Sequence, residues 1–129
     1  MHANADVVAE ALAAVATRDA SSFEQHYTRD CVWHIHGHHR FSGTYSGLGE
    51  VLSYLSSLFE ETQDTIVIEP HDLLASDQHV VLICTVRAQR PDGRELADRS
   101  VMVIHLTGEK ISEMWFYPGD AMALEAFWR

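Results

Sequence analysis

Histidine carries most of the chemistry this sequence offers, and four of its nine histidines fall within six positions, His34-Ile35-His36-Gly37-His38-His39. Alternation with apolar residues reads as a strand that meets a turn at Gly37. That sets His34 and His36 on one face, about 6–7 Å apart. Such a pair chelates zinc or iron when a third donor joins it, and only His105 or His71 would serve, because residues 37–47 contain no acid. A single imidazole, with an ordinary pKa of about 6.5, moves protons at neutral pH as base or acid. It can equally hold a ligand's hydroxyl or carbonyl, or satisfy a hydrogen bond in the core. His36, His38 and His39 read as strand-end and loop residues near water.

Three further side chains have a chemical reading and a plainer one. Arg99 could bind an anionic group of a substrate or sit as a rim arginine. Tyr54 could point into a pocket or pack against a strand. Asp72 could orient a histidine by accepting its ring N–H, or cap the turn after its strand.

These residues need elements to position them. Val8, Ala11, Leu12 and Val15 recur at helical spacing over residues 5–17. Ser21-Ser22-Phe23-Glu24 reads as a capping box that opens a short second helix. Cys31 to His36 is a strand. From Leu48 the apolar residues Val51, Leu52, Leu55, Leu58 and Phe59 give the clearest helix. Residues 65–75, 79–89, 95–106 and 110–117 then read as four strands joined by turn formers, and Met122–Phe127 as a closing helix. Val101-Met102-Val103-Ile104 lacks a polar gap and reads as a strand buried on both faces. The order predicts one α+β domain over residues 1–129, with helices on one face of a curved antiparallel sheet.

Composition narrows the partners. Nine basic against nineteen acidic residues give a formal charge of −10. A surface that acidic repels phosphate backbones and anionic lipid, so neither nucleic acid nor membrane is an expected partner. The two cysteines, Cys31 and Cys84, lie in apolar strand-like runs and read as small core residues of a cytoplasmic protein.

Particular residues strengthen this reading. Trp33 with Gly37 is followed by Gly43-Thr44-Tyr45-Ser46-Gly47 running into Glu50-Val51, then Asp72, His79-Val80-Val81, Lys110-Ile111-Ser112-Glu113-Met114-Trp115, and Ala123-Leu124 with Phe127-Trp128. In that order they resemble the nuclear transport factor 2-like superfamily and, within it, the SnoaL-like group, across nearly the whole chain. The resemblance implies a cone in which a bent sheet wraps the long helix, with an apolar pocket open at one end and homodimers formed through the outer sheet face. The superfamily spans ketosteroid isomerases, polyketide cyclases, epoxide hydrolases, dehydratases and non-catalytic binders, so the fold alone does not assign an activity.

Carried over residue by residue, the ketosteroid isomerase base falls on His34, its oxyanion tyrosine on Ala11 and its second oxyanion acid on Val101. The last-strand aspartate of the cyclases and epoxide hydrolases falls on Phe116. The resemblance thus implies a pocket without the familiar carboxylates. With Gly108-Glu109 as a hairpin loop, Thr107 faces Lys110 and His105 faces Ser112, which puts Met114, Phe116, Val101, His105 and Arg99 on one face, by the resemblance the pocket face. Trp33 and Trp115 take the opposite parity from His34 and Phe116, and so belong to packing or a dimer face.

The reading that follows is a cofactor-independent enzyme of isomerase, cyclase or dehydratase type. It would act on a small apolar oxygenated molecule, with His34 as acid/base, Arg99, His105 and Tyr54 as polar contacts, and Met114, Phe116 and Val101 as lining. The alternative is a non-catalytic pocket for a hydrophobic ligand, and a third reading is a metal enzyme using His34 and His36.

Overall fold

The computed structural model describes residues 2–129. Helix α1 (Ala3–Ala16) buries the stripe Ala5, Val8, Ala11 and Ala14, and the His2 imidazole caps it by accepting from the Asn4 N–H. Helix α2 (Ala20–Gln25) begins two residues earlier than the capping box predicted. Its cap is Asp19, whose carboxylate accepts from the Ser22 N–H at 3.1 Å; a carboxylate there also suits the positive end of the helix. Strand β1 (Tyr27–Ile35) extends the predicted strand backwards to Tyr27. The histidine loop then leads to a short strand β2 (Gly43–Ser46), which the turn-rich sequence concealed. Helix α3 (Leu48–Glu61), β3 (Val67–Ala75), β4 (His79–Gln89), β5 (Glu95–Thr107), β6 (Lys110–Tyr117) and α4 (Ala121–Trp128) fall close to their predicted spans.

One six-stranded sheet has the order β2-β1-β6-β5-β4-β3. Its neighbours are antiparallel except β1 and β6, which run parallel, so the sheet is mixed rather than wholly antiparallel. α3 carries the chain from β2 at one edge of the sheet to β3 at the other, and the hairpins β3–β4–β5–β6 then return it to lie beside β1.

The register between β5 and β6 decides which side chains face inward. Thr107 does oppose Lys110, but one residue later the pairing shifts, because Ser112 is an extra residue on β6. His105 therefore opposes Glu113 rather than Ser112, Ile104 opposes Met114, and Met102 opposes Phe116. Met102 and Ile104 thus join Leu106, Ile111, Met114 and Phe116 on the concave face, while Val101 and Val103 lie half-buried on the convex one. The expectation that Val101–Ile104 is buried on both faces is corrected in this way.

The core lies between the concave face and α1, α3 and α4, around Val8, Val51, Val80, Leu82 and Ile111, each at most 1 % exposed. Cys31 and Cys84 are core residues, both unpaired, and burial pushes each thiol up to about 11. A polar clasp fixes the closing helix. Asp98, 4 % exposed, accepts from the Ser100 hydroxyl at 2.7 Å and from the backbone N–H groups of Gly119 (3.1 Å) and Asp120 (2.9 Å). Gly119 passes so close to β5 that an added Cβ would stand 2.0 Å from the Arg99 carbonyl oxygen, so only glycine fits.

Candidate functional site

Between the helices and the concave face lies a cavity of about 180 Å³. α1 contributes Val8, Ala11, Leu12 and Val15, and α3 contributes Tyr54, Leu55, Leu58 and Phe59. The sheet contributes Tyr27, Trp33 and Ile35 from β1, Met102 and Ile104 from β5, and Ile111, Met114 and Phe116 from β6, while Leu124 and Trp128 of α4 close one end. This surface follows from the period-2 alternation of the strands, which sends Trp33 and Ile35, Met102 and Ile104, and Met114 and Phe116 to one face.

Four neutral polar groups interrupt it. Burial raises the pKa of Tyr27 and Tyr54 well above the ordinary phenol range, so both hydroxyls stay protonated. Neither hydroxyl has a hydrogen-bond partner among the described residues, whereas Tyr45, beside them, donates to the Phe41 carbonyl at 2.8 Å. The Trp33 indole N–H and Nε2 of His39 are buried without a partner. Tyr54 stands at the centre of an aromatic cluster, 6.0 Å from Trp33, 4.6 Å from Tyr45 and 6.2 Å from Phe41 between ring centroids.

No carboxylate lines the cavity. Its one cation, Arg18, is already committed. The guanidinium lies over the Phe59 ring at 3.7 Å and donates to the carbonyls of Val15, Ala16 and Asp64. This arginine ties the end of α1 to the turn after α3, with the Asp64 carboxylate 3.9 Å from its Nε as counter-charge.

The convex face holds most of the residues expected to do chemistry. His34 lies there, not in the cavity: its Nε2 donates to Glu113 at 2.6 Å, its ring stacks on Trp115, and Nδ1 is 3.4 Å from the Thr44 hydroxyl. His36 stacks on Tyr117 beside it. His105 also faces outward, its Nδ1 3.3 Å from Nε2 of His79, and Arg99 is exposed on the same face near Val101. Two causes turn these residues round. On β1 the inward parity is taken by Cys31, Trp33 and Ile35, a more apolar set than Val32, His34 and His36. On β5 the inward parity runs unbroken through Leu96, Asp98, Ser100, Met102, Ile104 and Leu106, which leaves Arg99, Val101 and His105 outward, and the Ser112 bulge on β6 brings Met114 and Phe116 to that same inner side. Of the expected pocket residues, Tyr54, Met114 and Phe116 line the cavity together. Trp115 lies half-buried on the outer face and Trp33 packs in the core against Phe23, Tyr27 and Tyr54, within the expectation of packing or a dimer face for the two. Among the described residues no three His, Cys, Asp or Glu side chains group as a metal-holding set.

Sequence reasoning passed over Tyr27, Trp33 and His39. The signal for Trp33 was present in the apolar weight of the Cys31-Trp33-Ile35 set. For His39 there was none, since its inward turn depends on a loop conformation.

The model of the SnoaL-like domain matches residues 8–114, and the chain belongs to that family. It is similar to an uncharacterized protein of Mycobacterium tuberculosis, 26 % identical over 127 residues, which are 98 % of this chain and 96 % of that one. Among solved structures it is similar to Bal32a from a soil-derived mobile gene cassette, with a TM-score of 0.95, 23 % identity, and 98 % and 97 % of the two chains covered. It is also similar to a protein of unknown function with a cystatin-like fold from Xanthomonas campestris, with a TM-score of 0.90, 27 % identity, and 99 % and 98 % covered. The nuclear transport factor 2-like cone is therefore the fold of this chain, and no helix among the described residues is long and apolar enough to cross a membrane.

Proposed function

We propose that this protein takes up a small, neutral, oxygen-bearing apolar molecule in the inner cavity, without a cofactor. The carrying observation is an apolar chamber whose polar groups, the hydroxyls of Tyr27 and Tyr54 and the donors of Trp33 and His39, have no partner among the described residues. Enclosed apolar walls with a few convergent polar groups are the usual form of a small-molecule site. Binding is the better-supported form of this activity. A proton-transferring isomerase, cyclase or dehydratase needs a base, and the cavity holds no carboxylate, while His34 stands on the other side of the sheet. His39 is the one imidazole on the cavity wall, and it supports an enzymatic second reading in which a neutral imidazole polarises a substrate oxygen.

In this reading the working form is a cytoplasmic homodimer. Its interface would use the convex face, where Val81, Ile83, Val101, Val103 and Trp115 lie half-buried, and two unpaired buried thiols suit a reducing compartment. Native mass spectrometry of the purified protein, together with thermal melting against one-ring compounds, tests the binding reading. A bound organic adduct or a raised melting temperature, lost in the cavity-filling Ala11→Leu, is expected. No adduct and no shift with any such compound would refute it.

A further inference from the structure

We infer that the cavity selects a neutral, one-ring carbonyl compound of the cyclic or aromatic ketone type, received at its oxygen by the indole N–H of Trp33 and the Nε2–H of His39. This rests on the cavity-binding reading above and names the ligand class and the two residues that discriminate it.

The histidine loop is built around the His39 ring. The Phe41 backbone N–H donates to Nδ1 of His39 at 3.1 Å, so the neutral ring carries its proton on Nε2 and presents a donor. Ser42 brackets the same residue, its hydroxyl accepting from the His39 N–H at 3.0 Å and its own N–H donating to the His39 carbonyl at 3.0 Å. Gly37, at φ +131°, leaves the space the ring occupies: a Cβ there would stand 3.1 Å from Cδ2 and 3.3 Å from Nε2 of His39. A loop that fixes one tautomer this closely does not serve a base that must gain a proton at Nδ1. It serves a donor. Burial lowers the pKa of this histidine, which keeps it in that neutral form.

Trp33 supplies the second group. It is 6 % exposed, and an indole nitrogen can only donate. Native proteins pair nearly all buried polar groups, so two orphaned donors in the wall of one cavity call for an acceptor from outside. The other buried atoms without partners, on Thr28 and Arg90, belong to residues outside that wall.

The remaining features set charge, shape and size. With no free cation and no carboxylate in the wall, neither an anionic nor a cationic ligand finds a counter-charge. Tyr54, Phe59, Phe116 and Trp128 offer aromatic faces to a flat ring. The 180 Å³ of space compares with roughly 150 Å³ for an engineered apolar cavity that takes up benzene, which fits one ring with a short substituent.

The test compares acetophenone with α-methylstyrene, which has the same shape with CH₂ in place of the carbonyl oxygen, and with benzoate, by calorimetry on the full chain. Acetophenone is expected to bind at least about tenfold tighter than α-methylstyrene, and benzoate more weakly than acetophenone. His39→Phe and Trp33→Phe should each remove most of that preference while leaving α-methylstyrene affinity within about threefold. Acetophenone should also move the Trp33 indole proton downfield in the wild-type NMR spectrum, where Trp33→Phe identifies the signal; α-methylstyrene should not. The wild-type ratio does not depend on how well either variant folds. If α-methylstyrene binds as tightly as acetophenone, or the indole proton stays put, the carbonyl inference is overturned and the cavity reading stands. If none of the probes binds, both fall together.

Discussion

His34 donates from Nε2 to the Glu113 carboxylate at 2.6 Å, on the face of the sheet turned away from the cavity. Their side chains are 26 % and 35 % exposed, and the His34 ring lies nearly parallel to Trp115 at 5.3 Å. The pair bridges β1 and β6 where those strands run parallel, and it reads as a cross-strand tie. His34→Gln is accordingly expected to leave cavity binding unchanged within about twofold and to lower stability by less than about 1 kcal/mol, as partly exposed ion pairs do. A calorimetric titration alongside a denaturant melt checks both. A tenfold loss of ligand affinity would return His34 to the site.

Asp98 should matter far more. Its carboxylate is the shared acceptor for Ser100, Gly119 and Asp120, and it is buried. Asp98→Ala leaves those donors without a partner and frees the turn into α4, at a cost of about 3 kcal/mol or more in urea unfolding. Gly119→Ala forces a Cβ against the Arg99 carbonyl and should be at least as damaging. Because Leu124 and Trp128 close the cavity, both variants should lose ligand before they lose the sheet.

Tyr54→Phe separates the hydroxyl from the ring. The aromatic contacts with Trp33, Tyr45 and Phe41 survive the change, so the melting temperature should move little. Affinity for an oxygenated ligand should fall by roughly three- to tenfold, the value of one neutral hydrogen bond, while a hydrocarbon probe is unaffected. Equal losses for both probes would show that the phenol acts by packing alone.

The pH dependence of stability follows from His39. Burial depresses its folded pKa below the ordinary 6.5, against a smaller opposing pull from Glu125. The unfolded chain takes up the proton first as pH falls, so the stability this residue contributes is complete above 6.5 and is lost as pH drops through the lowered folded value. Melts of wild type and His39→Phe from neutral to mildly acid pH should show the difference between them shifting against the wild type as acid is added. A constant difference would mean that the ring titrates alike in both states.

How much of this was legible in the residues can be seen strand by strand. The 3.6-residue stripe from Leu48 gave α3 almost to the residue, and the turn formers between the later strands placed the hairpins. Tyr54, Met114 and Phe116 were readable as pocket residues because helix period and strand parity are local properties. His34, Arg99, Val101 and His105 were misplaced because facing depends on register, and register is set between strands. A bulge such as the one at Ser112 has no signature in composition. His39 lay beyond reach for a different reason. Its place depends on three hydrogen bonds and a glycine cradle in an irregular loop, where no period operates.

The extra residue at Ser112 also carries a consequence for how this strand can change. Ile111 on one side of it and Met114 on the other both point inward, three positions apart rather than two or four. Deleting Ser112 would set Ile111 and Met114 two positions apart on a regular ladder and keep Met114 and Phe116 inward, whereas flattening the bulge with the residue retained would bring Glu113 and Trp115 to the inner lining and send Met114 and Phe116 to the surface. The bulged backbone at Ser112 is thus as tightly bound to the cavity's chemistry as any side chain that lines it.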